Sequence, residues 1–224
     1  MKKLFISLGL MLLSLSVSAQ IYTKNLEKSA LKGDEKSIFD LGICYLNGSG
    51  IGVDNEKAFD CFFKVLKNNK EASYYIAQMF EKGLVSEPQV NLLMSDIKSL
   101  EERFTEEAPN TMSYLKSDSI SQSVRYAYDF YYASAKKNNV DAKIKVADLC
   151  WEEVLLKKWE EAIKKKNLTN KGSDADDMKD FMLAFNLYNE SQSSEEGEKK
   201  FLKMVSSSNP QPIGFSGILL AKRQ

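Results

Sequence analysis

The chain contains no histidine in its 224 residues. That absence excludes histidine-based catalytic triads, histidine-ligated zinc and imidazole proton shuttles. Cysteine is scarce: Cys44, Cys61 and Cys150 lie far apart and form no CxxC pair. Each falls on the apolar face of a helical pattern, where burial as a small hydrophobe is the default. A Cys44–Cys61 disulfide stays open as an alternative if neighbouring helices bring the two together. Charge of one sign is also missing, since 31 Lys and Arg face 31 Asp and Glu. Nucleic acid as a partner requires a basic surplus, which this chain lacks. Lysine and glutamate instead alternate locally, as on solvated helix faces.

Long apolar runs are absent except at the start. Lys2 and Lys3 precede an apolar stretch from Leu4 to Val17, and Val17-Ser18-Ala19 supplies small residues for cleavage. This is the pattern of a secretory signal peptide, with cleavage expected after Ala19, and it is too short and wrongly flanked for a membrane span. No cysteine follows the apolar stretch, which argues against a lipid anchor there. The expected mature chain, 20–224, has no membrane span, belongs in the periplasm or outside the cell, and carries 29 basic against 31 acidic residues, a net −2.

What the chain does have is helical periodicity. Ile38, Leu41 and Tyr45 recur on one stripe, with Asp34 placed as N-cap. Ala58, Phe62, Val65 and Leu66 form a second stripe, with Asp54 placed to cap it. Between them lies Leu46-Asn-Gly-Ser-Gly-Ile-Gly-Val-Asp-Asn-Glu-Lys57. Gly48, Gly50 and Gly52 lack both the Lys-Ser/Thr of a phosphate loop and a strand before them. They read instead as the reversal of an αα-hairpin, with glycine supplying positive φ.

The first helix then recurs. Ser37-x3-Leu41-Gly42-x2-Tyr45 becomes Ala72-x3-Ile76-Ala77-x2-Phe80 at an offset of thirty-five residues. The same frame reaches Ala142-x3-Val146-Ala147-x2-Cys150 and Pro212-x3-Ser216-Gly217-x2-Leu220. The small residue shared by these copies lets a partner helix approach closely. The second helix recurs at Leu93-Ile97-Leu100, Ala127-Tyr131-Ala135 and Phe201-Met204-Val205. Two-helix units of this length bury their apolar faces by stacking on neighbours.

The residues from Ser37 to Ala58, with Leu41-Gly42, Tyr45, Gly48, Gly50, Val53 and Lys57-Ala58 in order, resemble the Sel-one-like repeat, a relative of the tetratricopeptide repeat. One departure is the added residue at Ile51-Gly52. The likeness is closest over 25–83 and 126–150, with degenerate repeats over 84–124 and 151–224. The resemblance implies an all-α, right-handed αα-superhelix that mediates protein–protein contact, with no shared catalytic residue, cofactor or metal.

Other features offer chemistry. Glu101, Glu102, Glu106 and Glu107 surround Phe104; paired carboxylates serve glycan hydrolysis, whereas adjacent glutamates are more often a solvated helix face. The run Lys164-Lys165-Lys166 is offset by Glu160 and Glu161 one turn earlier. Tyr126, Tyr128, Phe130, Tyr131 and Tyr132 are the densest aromatic group, and five neighbours cannot all point inward. One or two of Tyr126, Tyr128, Tyr131 and Tyr132 are therefore expected at a contact surface, and core packing is expected for most. Asp118-Ser119-Ile120 resembles an O-glycosylation acceptor, and Asn47, Asn167 and Asn189 open Asn-x-Ser/Thr sequences.

The reading that follows is a periplasmic or secreted helical-repeat scaffold that binds a protein and is not an enzyme. A carboxylate-dependent glycan or cell-wall hydrolase and a structural envelope component are the alternatives.

Overall fold

The computed structural model describes residues 21–164 and 175–206, the side chains of 162–164 excepted. The leader, the Lys164–Lys166 run, Asn167 and the Pro212–Leu220 copy of the repeat frame lie outside the described residues or side chains. Among the described residues every regular element is helical, and none is long and apolar enough to cross a membrane. The chain divides into two compact units, 1–65 and 66–224.

The first unit holds α1 (Lys24–Leu31), α2 (Glu35–Asn47) and α3 (Asn55–Val65), with α2 packed against both others. Its ends follow from capping chemistry. The Asp34 carboxylate accepts the Ser37 amide at 2.8 Å, and Asp54 accepts the Lys57 amide at 3.0 Å. Gly48 ends α2 in the left-handed region at φ 69°, its N–H returning to the Cys44 carbonyl. Gly50 also has positive φ, at 79°. Gly52 differs from expectation: its φ is not in that region and a Cβ there would meet nothing within 4 Å. The turn therefore needs glycine at Gly48 and Gly50 but not at Gly52.

The small residue of the repeat frame does what its position implies. A Cβ on Gly42 would stand 2.8 Å from Phe62 Cε1 and 3.0 Å from Cys61 Cβ. Helix α2 thus rides directly on α3, and Phe62 is fully buried beneath it. Helix propensity alone makes Gly→Ala favourable by about 1 kcal/mol in a helix interior. Overpacking at this crossing costs more, about 1–3 kcal/mol. Gly42→Ala is accordingly expected to destabilise the first unit, read as faster amide exchange across α2 and α3 of the full chain.

The second unit begins with α4 (Lys70–Glu81), followed by α5 (Glu87–Glu107), α6 (Pro109–Leu115) and α7 (Gln122–Lys136). Next come α8 (Val140–Asp148), a π-helical stretch (Leu149–Leu155), α9 (Leu156–Lys164), α10 (Ala175–Glu190) and α11 (Glu195–Ser206). Ala72, Ile76, Ala77 and Phe80 on α4 are buried, as are Ala142, Val146, Ala147 and Cys150 on α8 and the turn after it.

The pairing departs from the sequence frame. The main partner of α4 is α7, which carries Ala127, Tyr131 and Ala135, rather than α5 with Leu93, Ile97 and Leu100. Likewise α8 packs on α10 across the intervening π stretch and α9. Two helical hairpins, α4/α7 and α8/α10, are therefore each interrupted by inserted helices. The insertions are stitched in by polar contacts. Asp180 of α10 accepts the Thr111 amide at 2.7 Å and the Asn110 amide at 3.1 Å, capping α6 from a distance in sequence. Helix α5 lies on α7 through a 4.6 Å stack of Phe104 on Tyr132.

Candidate binding groove

Helix α10 is apolar on more than one face. Phe181, Ala184, Phe185 and Tyr188 go into the core, while Lys179, Met182, Leu183, Asn186, Leu187 and Glu190 recur at i, i+3, i+4, i+7, i+8, i+11 along one side. That side forms one wall of a 580 Å³ groove. The C-terminal turn of α7 and the residues after it (Ala135, Lys136, Asn138) and the end of α5 (Glu106, Glu107) complete the walls. Methionine and leucine line the floor, and carboxylates, ammonium groups and amides line the rim. This is the mixed lining of a binding cleft.

Part of the rim is braced. Lys136 donates to both Glu107 oxygens, at 2.9 and 3.0 Å. The Lys143 side chain, 5% exposed, reaches from α8 to Glu190 at 2.8 Å and to Asn138 Oδ1 at 2.9 Å. Asn138 itself sits at φ 67°, a conformation asparagine tolerates better than most residues. Glu106, Lys179 and Asn186 are exposed on the rim. Helix α5 with its glutamates is positioned by the Phe104–Tyr132 stack one turn earlier.

The tyrosine group is mostly core, which corrects the expectation of a tyrosine contact surface. Tyr126, Tyr131 and Tyr132 are buried, and Tyr128 is half-buried. The reason is that α7 is enclosed from several sides, by α4, α5 and α8, so most of its circumference is interior. Tyr131 donates to Glu81 at 2.6 Å, and Tyr126 packs on Phe80 at 5.6 Å between ring centres. Burial pushes the Tyr128 hydroxyl up to about 12, and burial raises Tyr131 and Tyr132 as well, so these three phenols are neutral at physiological pH.

The carboxylates proposed for glycan chemistry do not converge. Glu101 and Glu106 are five residues apart on α5, about 140° around the helix. Glu101 is tied to Lys116 at 2.7 Å, whereas Glu106 lines the groove. The three cysteines are buried and unbridged; burial raises the Cys61 thiol to about 11, so it is not a thiolate nucleophile at neutral pH. No group of metal-ligating side chains occurs among the described residues. Ser119 and Asn47 are exposed, and Asn189 is half-buried.

The groove residues of α10 were not singled out from sequence. The available signal was a second apolar stripe, Met182-Leu183-Leu187, on a helix whose Phe181 and Phe185 already account for the core.

No family model matches the chain, and no curated protein matches it. Among solved structures, a Sel1 repeat protein from Oxalobacter formigenes is similar at 20% identity, over 81% of this chain and 47% of that one, with a TM-score of 0.35. The chain thus spans about half the length of that structure. The all-α helical-hairpin architecture stands on the packing described above.

Proposed function

We propose that this protein is a non-catalytic helical-repeat scaffold, exported from the cytoplasm, that holds a segment of a partner protein in the α5/α7/α10 groove. The observation that carries the reading is the groove lining: an apolar floor from Met182, Leu183 and Leu187 under a rim with exposed Glu106, Lys179 and Asn186. Apolar floors with a few polar groups fix both affinity and orientation of a bound chain. The hairpins supply the rigid backing, and nothing in the rim needs to react. The leader-like start supports export, and the divergence of Glu101 from Glu106 weighs against the hydrolase alternative.

The test is an affinity pull-down of the mature protein beside a Met182→Glu, Asn186→Ala variant. Both positions lie at the groove with at least partial exposure, so the fold should persist. A partner retained by the wild type is expected to bind the variant at least tenfold more weakly. Equal retention by both proteins would move the site elsewhere. Hydrolysis of a glycan panel, lost in Glu101→Ala, Glu106→Ala, would replace the scaffold reading with the enzyme. Cell fractionation, with mass spectrometry of the mature N-terminus, checks export and cleavage after Ala19.

A further inference from the structure

Asp129 on α7 is fully buried, and neither carboxyl oxygen has a hydrogen-bond partner. It lies on the stripe of α7 that carries Tyr132 and Lys136, and both of those side chains hold α5, through Phe104 and Glu107. Asp129 thus sits in the seam between α7 and the inserted helices. The charged groups acting on it are Glu101 from α5, Lys116 at the end of α6 and Arg125 from α7 itself, with none from α4 or α8. None of the cations bonds to it. Lys116 is spent on Glu101 at 2.7 Å, and Arg125 lies near the Tyr126 ring with its Nε buried and unpartnered.

An ionised carboxylate without hydrogen bonds or a directly paired cation is very costly in such a place, whereas a neutral carboxyl is tolerable. We propose that the α5 wall of the groove is held by a proton: Asp129 must be neutral for α5 and α6 to lie on α7, and its ionisation loosens that layer. Burial, reinforced by Glu101, pushes the carboxyl up to about 8, which puts the transition within reach of mildly alkaline media. Ionisation can be relieved by admitting water to the seam, by drawing Lys116 away from Glu101, or by turning Arg125 of α7 onto the carboxylate. The first two routes disturb α5, and with it Glu106 and Glu107 of the groove rim; the third leaves α5 in place and is the outcome read as unchanged protection. The consequence for binding rests on the groove reading above; the proton-held seam does not.

Hydrogen–deuterium exchange of the full chain at pH 6.5 and pH 9.5, corrected for intrinsic rates, tests this without any partner. Amides of α5 and α6 are expected to lose at least tenfold in protection at the higher pH relative to those of α4 and α8. Asp129→Asn, which cannot ionise, is expected to abolish that difference. Equal protection at both pH values in the wild type, or a loss that persists in Asp129→Asn, overturns the proposal. Should the variant not fold, a carbon-13 NMR titration of the Asp129 carboxyl in the wild type decides: a midpoint near 4 overturns it, and one above 7 supports it. A pull-down that fails while the exchange difference holds counts against the groove alone.

Discussion

Gly197→Ala is expected to lift α11 off the second unit. A Cβ at Gly197 would stand 2.1 Å from the Ser191 carbonyl oxygen and 2.6 Å from both its carbon and its hydroxyl. These are not yielding neighbours. Ser191 is fully buried, its hydroxyl donates to the Tyr188 carbonyl at 2.9 Å, and its own carbonyl accepts the Ser194 hydroxyl at 3.0 Å. The Ser194 oxygen in turn accepts the Gly197 amide at 3.0 Å. The turn is thus locked by the same bonds that start the helix, and the added methyl can be accommodated only by moving the helix start. The contacts beyond it would go too: Lys200 with Asp148 at 3.0 Å, Lys203 with Glu152 at 2.9 Å, and Phe201 against Phe185. Overpacking against backbone together with a lost cap amounts to about 2–4 kcal/mol. Urea titration should show that loss, and limited proteolysis should open new sites within 191–206. Gly52→Ala is the matched control, because nothing lies near it; a comparable loss there would mean that steric space is not what sets the cost.

The second large effect is on the pH dependence of stability. The Asp129 carboxyl is raised from 3.8 to about 8 in the folded protein, so the folded state holds a proton that the unfolded state releases. Stability contributed by this group is intact below the unfolded value, declines as pH rises between the two, and reaches its lowest level above the folded one. Asparagine is close in shape and does not titrate. Between pH 4.5 and pH 8 the Asp129→Asn variant should therefore gain on the wild type by about 3 kcal/mol or more, at about 1.4 kcal/mol per unit. Taking the difference between the two proteins at each pH removes the contribution of every other titrating group. A difference that stays constant from pH 4.5 to 8 would show an ordinary, solvated carboxylate.

The hairpin fold was legible because its determinants are local. Asp34, Gly48 and Asp54 mark helix ends through bonds that span only a few residues, and Gly42, Ala77 and Ala147 mark close crossings at a fixed place in a fixed frame. The pairing of α4 with α7 was not legible. Leu93-Ile97-Leu100 has the same periodicity as Ala127-Tyr131-Ala135, and periodicity states which face is buried, not against what. The tyrosines misled for a related reason, since the count of helices around α7 is a property of the fold rather than of its sequence. Asp129 and Gly197 were illegible for the opposite reason: each is a single residue whose environment comes from a distant segment or a turn. The groove stripe on α10 was visible in principle, but a helix with two apolar faces looks like one that is merely well buried.

The interrupted hairpins have a bearing on how the second unit folds. In a simple array each helix meets its sequence neighbour, so the repeats are nearly independent and can fray from the ends. Here Tyr131 meets Glu81 across 50 residues, Ser134 meets Lys70 across 64 and Thr111 meets Asp180 across 69. Closing those contacts demands long loops before any reward is collected, which slows folding relative to a plain helical array. It also ties α4 to α7 across the inserted helices, so the paired helices of a hairpin are held or lost together, while the helices laid on them, α5, α6 and α11, can open separately.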